Sequence, residues 1–568
     1  MFPRIRMIAT VALLGALGSA LPAAAAEPFG MTFDLAARGK TITNKFSDIN
    51  VWWRDQTWMK QAAASPKDYF ATNFPFVQRV QLMAATGGNQ RLDLFKDPLD
   101  RTNLTDYDFG RLVQTCENIV AKGLKPMVKT GWVPLKLSAS PHIGSFGTNV
   151  RPPADYDAYY AYIKAMAEAL KEHFGIAELK TWSWGVGVEY QNSDWFQAED
   201  GKAETTRLAY CRLYDTTVAA LEDALGPENV TVGAHSMNVE LGFWDAGDFI
   251  EHCANGENLR RGGRGTHLDF LAVSYYTEVP GFHSGTFVPC IIDRLRNKAI
   301  QVGLRNLKYG VDEGRALNGW DKKRLSSSGY EIEHPVQAAG DAKLFHLMVE
   351  HDVDYFSMWV LTTDGLTTDG LFGGLPIASA NLRNLTFRMS GSALVEAQAS
   401  GHPADAANDV SGLAGYDAAT KTLRVLLYNF NPDHAANGSE DVALSVAHVR
   451  PARADSVTLR SWPLDEDHGN WWKAWQTDVA ARKMPPEAFR ASAQTLDLPH
   501  DLTNAADVEF WKSRAPEYAK LGQLRSADEP LRPAAGDTIS WPAKLKPNAV
   551  VLYELFPVEP VVPSDPSR

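Results

Sequence analysis

Between about residue 46 and residue 390 the chain alternates short apolar runs with longer amphipathic stretches. The runs are Phe46–Trp53, Phe76–Met83, Lys125–Gly131, Thr181–Val188, Asn229–Ala234, Leu268–Tyr276, Leu307–Val311 and Val353–Val360. Helical patterns separate most of them: Asp106–Lys122, Asp155–Glu172, Glu204–Leu225, Trp244–Cys253, Ile291–Leu304 and Val336–Glu350. In the second pattern Tyr156, Tyr159, Ile163, Met166 and Leu170 recur on one helical face. Gly123, Gly175 and Gly226 stand where helices stop and a left-handed residue is favoured. Eight strands alternating with helices predict an α/β fold, a (β/α)8 TIM barrel over residues 46–391.

The pattern changes after residue 391. Thr422–Asn429, Asp441–Val449, Asp455–Ser461, Ala493–Leu498 and Ala549–Phe556 are strand-like. Turn-rich segments, Gly401–Asn408, Asn431–Glu440 and Pro530–Thr538, divide them. This predicts an appended C-terminal β-sandwich over 392–560, with 561–568 as a tail. Residues 27–45, with a strand-like Thr32–Thr43, are expected to add to it. Before them, Arg4 and Arg6, the apolar stretch Met7 to Leu17, and Ala24–Ala26 have the layout of an export leader. The expected location is therefore secreted or periplasmic, with cleavage after Ala26.

Composition narrows the partners. The chain is 45% hydrophobic and 22% charged, which excludes a disordered or fibrous protein. Its net charge of −12, without basic runs, argues against nucleic-acid or anionic-membrane partners and favours a weakly charged glycan. No later run approaches the length of a membrane span. Cys116, Cys211, Cys253 and Cys290 lack metal or redox spacing; disulfides and buried thiols both remain open. His235, His267 and His283 are scattered, and neither metal nor cofactor is expected.

Barrel active sites sit at the C-terminal ends of the strands. Strand four, Thr181-Trp-Ser-Trp-Gly-Val-Gly-Val-Glu189, puts Ser183, Gly185, Gly187 and Glu189 on one face if alternation is strict. Strand seven ends in Asp312-Glu313, which in a regular strand face opposite ways. One carboxylate on each strand end suits retaining glycoside hydrolysis, where an acid/base and a nucleophile stand about 5–5.5 Å apart.

Several segments carry a resemblance. They are Leu104–Phe109, Gly123–Pro134, Pro152–Asp157, Phe174–Trp182 leading into Glu189, Asp269–Leu271, Val353–Trp359 and, in the β-domain, Leu464–Asn470 with Ala474–Gln476. Together they resemble glycoside hydrolase family 39, which includes β-xylosidases and α-L-iduronidases. The resemblance implies a barrel-plus-sandwich glycosidase acting on an oligosaccharide or polysaccharide, with Glu189 as acid/base and Glu313 as nucleophile. It implies substrate contacts from Arg79 near the floor, Gln81, Trp132, and the rim aromatics Tyr276 and Trp359. Glu278 and His283 lie just past strand six. Arg315 is placed either to pair with an acidic sugar or to hold Glu313.

The departures are as informative. The family pattern is Asn-Glu-Pro-Asn at the acid/base, and this chain reads Val188-Glu189-Tyr190-Gln191. A family histidine is replaced by Gln81 and another by Ser274. Valine cannot bond a sugar 2-hydroxyl, so the expected glycone differs from simple β-xylose. The expectation is a retaining, exo-acting glycosidase. Its alternatives are a glycan-binding protein without turnover and an endo-acting hydrolase.

Overall fold

The structure, a computed structural model, describes residues 29–51, 67–237, 242–278, 288–317, 335–362, 378–431, 436–452, 457–483, 505–531 and 536–561. β1 (Gly30–Thr41) precedes eight parallel strands: β2 (Asp48–Val51), β3 (Arg79–Leu82), β4 (Lys125–Thr130), β5 (Ser183–Val186), β6 (Val232–Ser236), β7 (Phe270–Glu278), β8 (Lys308–Leu317) and β9 (Tyr355–Thr362). These close into a barrel, β9 pairing with β2. Each expected strand and helix of the barrel is present, with ends shifted by a few residues. The helix Tyr156–Phe174 starts where the Asp155 carboxylate accepts the Asp157 N–H at 2.7 Å, and stops at Gly175, whose φ is 78°. Its buried residues include Tyr159, Ile163, Met166 and Leu170, the face read from the sequence.

The second layer is one continuous sheet in the order β16-β15-β18-β12-β11-β10-β1-β13-β17. Its members after the barrel are β10 (Ala393–Ser400), β11 (Asp409–Asp417), β12 (Thr422–Phe430), β13 (Glu440–Ala447), β15 (Val457–Leu464), β16 (Ala527–Leu531), β17 (Ile539–Leu545) and β18 (Val550–Phe556). β14 (Val449–Pro451) and β19 (Val558–Pro560) form a separate pair. The sheet folds back on itself as a sandwich. Trp541 of edge strand β17 meets Tyr553 of β18 edge-to-face at 5.6 Å, and both lie in one core with Phe33, Val425 and Leu444. β12 carries apolar residues on both of its faces because both are covered. Leu423, Val425 and Leu427 enter the sandwich core, while Leu426, Tyr428 and Phe430 join the barrel core. β1 pairs antiparallel with β10 and parallel with β13, so the N-terminal segment does add a strand.

Four strands of the large sheet, and the pair β14 and β19, were not read from the sequence. β16 and β17 contain Pro530 and Pro542, which weaken a strand pattern, yet both strands sit at sheet edges where the missing N–H costs nothing. β10 and β11 are rich in alanine, glycine and acidic residues. The second domain is also not all-β. Helices Trp472–Ala481 and Ala505–Leu521 pack through Trp475 against Trp511 at 4.8 Å, and Tyr518 Oη donates to Asp478 at 2.6 Å. The expected leader and the strand Ala493–Leu498 lie outside the described residues. Cys116 is buried, and Cys211 and Cys253 are free buried thiols; burial drives the Cys211 thiol up to about 12, so it is inert at neutral pH. Among the described residues no helix is long and apolar enough to cross a membrane.

An ion cluster ties the barrel's floor to its helical shell. His267 contacts Asp269 at 3.0 Å and Glu222 at 3.2 Å, and these hydrogen bonds raise its pKa to about 9. The folded pKa exceeds the unfolded value of about 6.5, so the stabilisation is complete below that pH and fades as pH rises through 9. His267→Gln is expected to lower stability by about 1–2 kcal/mol at pH 6, after allowance for solvent screening. Denaturant melts at pH 6 and pH 10 check this: the deficit should shrink at pH 10.

Candidate active site

The barrel interior is polar where an ordinary barrel is aliphatic, and the polar groups form layers. In the floor layer, Arg79 donates to the Asp48 carboxylate at 2.7 Å and to Ser183 Oγ at 3.0 Å, and lies over the Tyr355 ring. Two residues further along each strand, Gln81 donates to Asp48 at 2.9 Å and to Asp312 at 3.1 Å. Lys129 Nζ, fully buried, meets Asp312 at 2.6 Å and His235 Nδ1 at 3.1 Å. Tyr355 Oη donates to Asp312 at 2.8 Å. His235 Nε2 stands 2.8 Å from Ser274 Oγ. A lysine ammonium only donates, so His235 Nδ1 accepts, and Nε2–H donates to Ser274. Five strands, β3, β4, β6, β8 and β9, thus meet directly at one buried ion pair.

Burial alone would raise the Asp312 carboxyl; the Lys129 charge and the hydrogen bonds from Lys129 and Tyr355 outweigh it and hold the group below its ordinary value. His235 goes the other way. Burial, then Lys129, push its pKa well below the ordinary range against the pull of Asp312, so the ring stays neutral. Its contribution to stability is present above about pH 6.5 and is lost as pH falls, when the unfolded chain takes up the proton.

Directly after Asp312 comes Glu313, and the backbone here departs from the sequence reading. Val273 pairs with Val311 but Ser274 pairs with Glu313, so β8 holds one extra residue against β7; the pairing with β9 skips likewise between Val311 and Gly314. Asp312 occupies this bulge. In a regular strand Asp312 and Glu313 would face opposite ways, and the bulge removes that requirement. Glu313 is itself buried, above the Asp312 layer.

Strand four also breaks its alternation. β5 ends at Val186; Gly187 and then Glu189 take positive φ, 75° and 44°. A glutamate in the left-handed region is strained, and such residues cluster at working sites. Neighbouring Gly131 must lack a side chain, because a Cβ there would lie 2.6 Å from Gly187 N. The turn is held from all sides. Tyr190 N–H donates to His235 O at 2.9 Å, and Gln191 bonds Ser236 Oγ and the Met237 N–H, both at 2.9 Å. Glu189 Oε2 accepts from Asn192 Nδ2 at 2.7 Å and Trp195 Nε1 at 3.1 Å.

Of the residues singled out from sequence, Gln81 and Arg79 lie inside the barrel below the glutamates, bonded to Asp48. Trp132 is buried in an apolar rim cluster with Met83, Leu92, Val188 and Trp195, and so packs more than it presents a face. Tyr276 pairs with Arg315, and Glu278 with Leu317, where β7 and β8 run on past the rim. Trp359 lies on β9. The side chains of Tyr276, Glu278, Arg315 and Trp359, and all of His283, lie outside the described residues. Lys129, His235, Asp312, Asn192 and Trp195 were missed. Lys129 left a trace: it is a lysine at an inward position of an apolar strand, Lys-Pro-Met-Val-Lys-Thr. Among the described residues no group of three or more candidate ligands could hold a metal ion.

Residues 49–292 match the family model of glycosyl hydrolases family 39. A β-xylosidase of Geobacillus stearothermophilus is 26% identical over 172 residues, 30% of this chain and 31% of the relative. An α-1,4-L-rhamnosidase of Formosa agariphila is 22% identical over 340 residues, 58% of this chain and 62% of the relative. The chain therefore spans less than two thirds of either curated relative. A monomeric β-xylosidase from Caulobacter crescentus has the same fold, with a TM-score of 0.64 at 16% identity over 92% of this chain and 99% of that one. The chain is thus similar to family 39 glycoside hydrolases in sequence over much of its barrel, and in fold over barrel and sandwich.

The buried ion pair can be tested by itself. Lys129→Met leaves Asp312 without its cation and is expected to cost about 3–5 kcal/mol in urea unfolding. Adding Asp312→Asn should recover part of that loss, because no uncompensated buried charge then remains.

Proposed function

We propose that the chain is a retaining, exo-acting glycoside hydrolase that removes a terminal sugar other than simple β-xylose from a plant or microbial glycan outside the cytoplasm. The observation that carries this reading is a pair of buried glutamates at the ends of strands four and seven, each presented by an irregular backbone. Glu313, held by the bulge above the Asp312 ion pair, attacks the anomeric carbon. The bond to the leaving oxygen breaks, and the Glu189 proton passes to that oxygen. In the second step the Glu189 carboxylate takes a proton from water, the water oxygen attacks the anomeric carbon, and Glu313 is released as carboxylate. Two displacements retain configuration.

On this reading the transferable proton belongs to one atom of Glu189. Oε2 already accepts from Asn192 and Trp195, and both of those are donors there. A proton on Oε2 would face their hydrogens, so the transferable proton sits on Oε1.

Val188 supports the altered glycone. It is packed among Met83, Trp132 and Trp195 and has no amide to offer a 2-hydroxyl. A β-xylosidase and an α-1,4-L-rhamnosidase among the relatives support a family scaffold whose glycone varies. An aryl β-xyloside is expected to be a poorer substrate than another member of a panel of aryl glycosides that includes furanosides and uronides. Initial rates across that panel check this; a best rate on the xyloside would refute it.

The two glutamates separate by leaving group. Glu313→Ala should be almost inactive on every substrate. Glu189→Ala should be slowed about 10²–10⁴-fold on a natural linkage and far less on a dinitrophenyl glycoside, whose leaving oxygen needs no proton. Azide should rescue Glu189→Ala and give a glycosyl azide of retained configuration. Rescue at Glu313 with an inverted product would exchange the roles.

A further inference from the structure

The hydrogen bonds that start from Lys129 can run in one direction only. The ammonium donates to His235 Nδ1 at 3.1 Å, so the ring carries its proton on Nε2 and donates to Ser274 Oγ at 2.8 Å. Ser274 Oγ is thereby committed as an acceptor, and its own O–H must donate elsewhere. Among the described residues His235 is the one hydrogen-bond partner of that side chain. A buried hydroxyl without an acceptor is costly, and Ser274 is only 4% exposed.

Register shows where the O–H is delivered. Val273 and Tyr275 of β7 lie in the core that the strands share with the surrounding helices, as does Val311 of β8, which pairs with Val273. Ser274, between the first two, faces the barrel interior, and so does Glu313, its partner across the β7–β8 pairing. His235 pairs with Ala272, so Ser274 stands one inward position nearer the C-terminal rim than the ring that holds it. The hydrogen bonds thus climb from the ion pair to the level of the nucleophile and end beside it. Three oxygens of a bound substrate lie close to the carbon that Glu313 attacks. The leaving oxygen takes its proton from Glu189, and the ring oxygen loses electron density in the oxocarbenium-like transition state, so neither suits a second donor. The 2-oxygen does. We propose that Ser274 donates to the 2-oxygen of the glycone, in place of the amide that Val188 lacks. Lys129 and His235 are the positioning residues that fix the direction of that bond. This rests on the glycosidase reading above. A sugar whose 2-substituent only donates, such as an ammonium group, is then excluded.

The test uses the best glycone of the aryl panel and its 2-deoxy analogue. For Ser274→Ala, kcat/KM on the 2-hydroxy substrate should fall about tenfold while kcat/KM on the 2-deoxy substrate holds. The paired change Lys129→Met with Asp312→Asn, which frees the His235 ring to turn its donor away, should lose part of the same preference; keeping all of it would overturn the positioning role. Equal losses on both substrates for Ser274→Ala would mean that the side chain only supports the barrel wall, and unchanged rates on both that the hydroxyl meets no sugar. Either overturns the proposal. Wild-type protein supplies a check that needs no variant to fold. Competitive inhibition by the free sugar should weaken for its 2-deoxy form, and weaken further for its 2-amino form at a pH where the amine is an ammonium. A 2-amino sugar that binds as tightly as the 2-hydroxy sugar refutes the contact. Wild-type protein inactive on every panel member would instead overturn the glycosidase reading beneath it.

Discussion

A closed eight-stranded barrel has an interior that must be filled, and this one is filled at its middle by a charge pair. Lys129 and Asp312 are fully buried and 2.6 Å apart. Neither ion could remain there alone, since an uncompensated charge in such a place costs several kcal/mol. Each therefore commits its neighbours. Gln81 and Tyr355 are drawn to Asp312, His235 is made a neutral acceptor for Lys129, and Ser274 receives the proton-bearing nitrogen of that imidazole. What the pair contributes is position more than stability. It pins the extra residue of β8 inward, and the residue that follows the pinned one is Glu313.

Glu189 is presented by different means. Among the described residues no buried ion pairs with it; a strained left-handed backbone aims it, and hydrogen bonds from Asn192 and Trp195 keep it aimed. The strain, of order 1 kcal/mol for one residue in this region, is sustained because the turn is tied to β6 through Tyr190 and Gln191. Lys129 touches both systems. It grips Asp312 beneath one glutamate and His235, whose carbonyl receives Tyr190 N–H beside the other. The two carboxylates thus share one buried cluster as their reference point.

Periodicity revealed the scaffold because burial on a barrel obeys it: strands, helices, the buried face of Tyr156–Phe174 and the strand-end glutamates could all be read from spacing. What escaped was what breaks the period. A bulge at Asp312 adds one residue without changing composition, and a positive φ at Glu189 is invisible in a side chain that usually avoids it. The proline-bearing edge strands β16 and β17 were lost for a related reason, since the rule that disqualifies proline from a strand is suspended at an edge. Lys129, His235 and Asp312 come from three different strands, and only register brings them to one level. Asn192 and Trp195 lie on a loop, where no periodicity exists.

Val188 shows how a departure from a family pattern gains meaning from its surroundings. Read alone, it is the loss of an amide from the sugar-reading side. In the structure it is a gain on the other side, because its methyl groups pack with Met83 and Leu92 around Trp132 and Trp195. An asparagine there would bring a polar amide into an apolar cluster, at a cost unless it found partners. The same residue that has no amide to offer a 2-hydroxyl therefore firms the wall that holds Glu189.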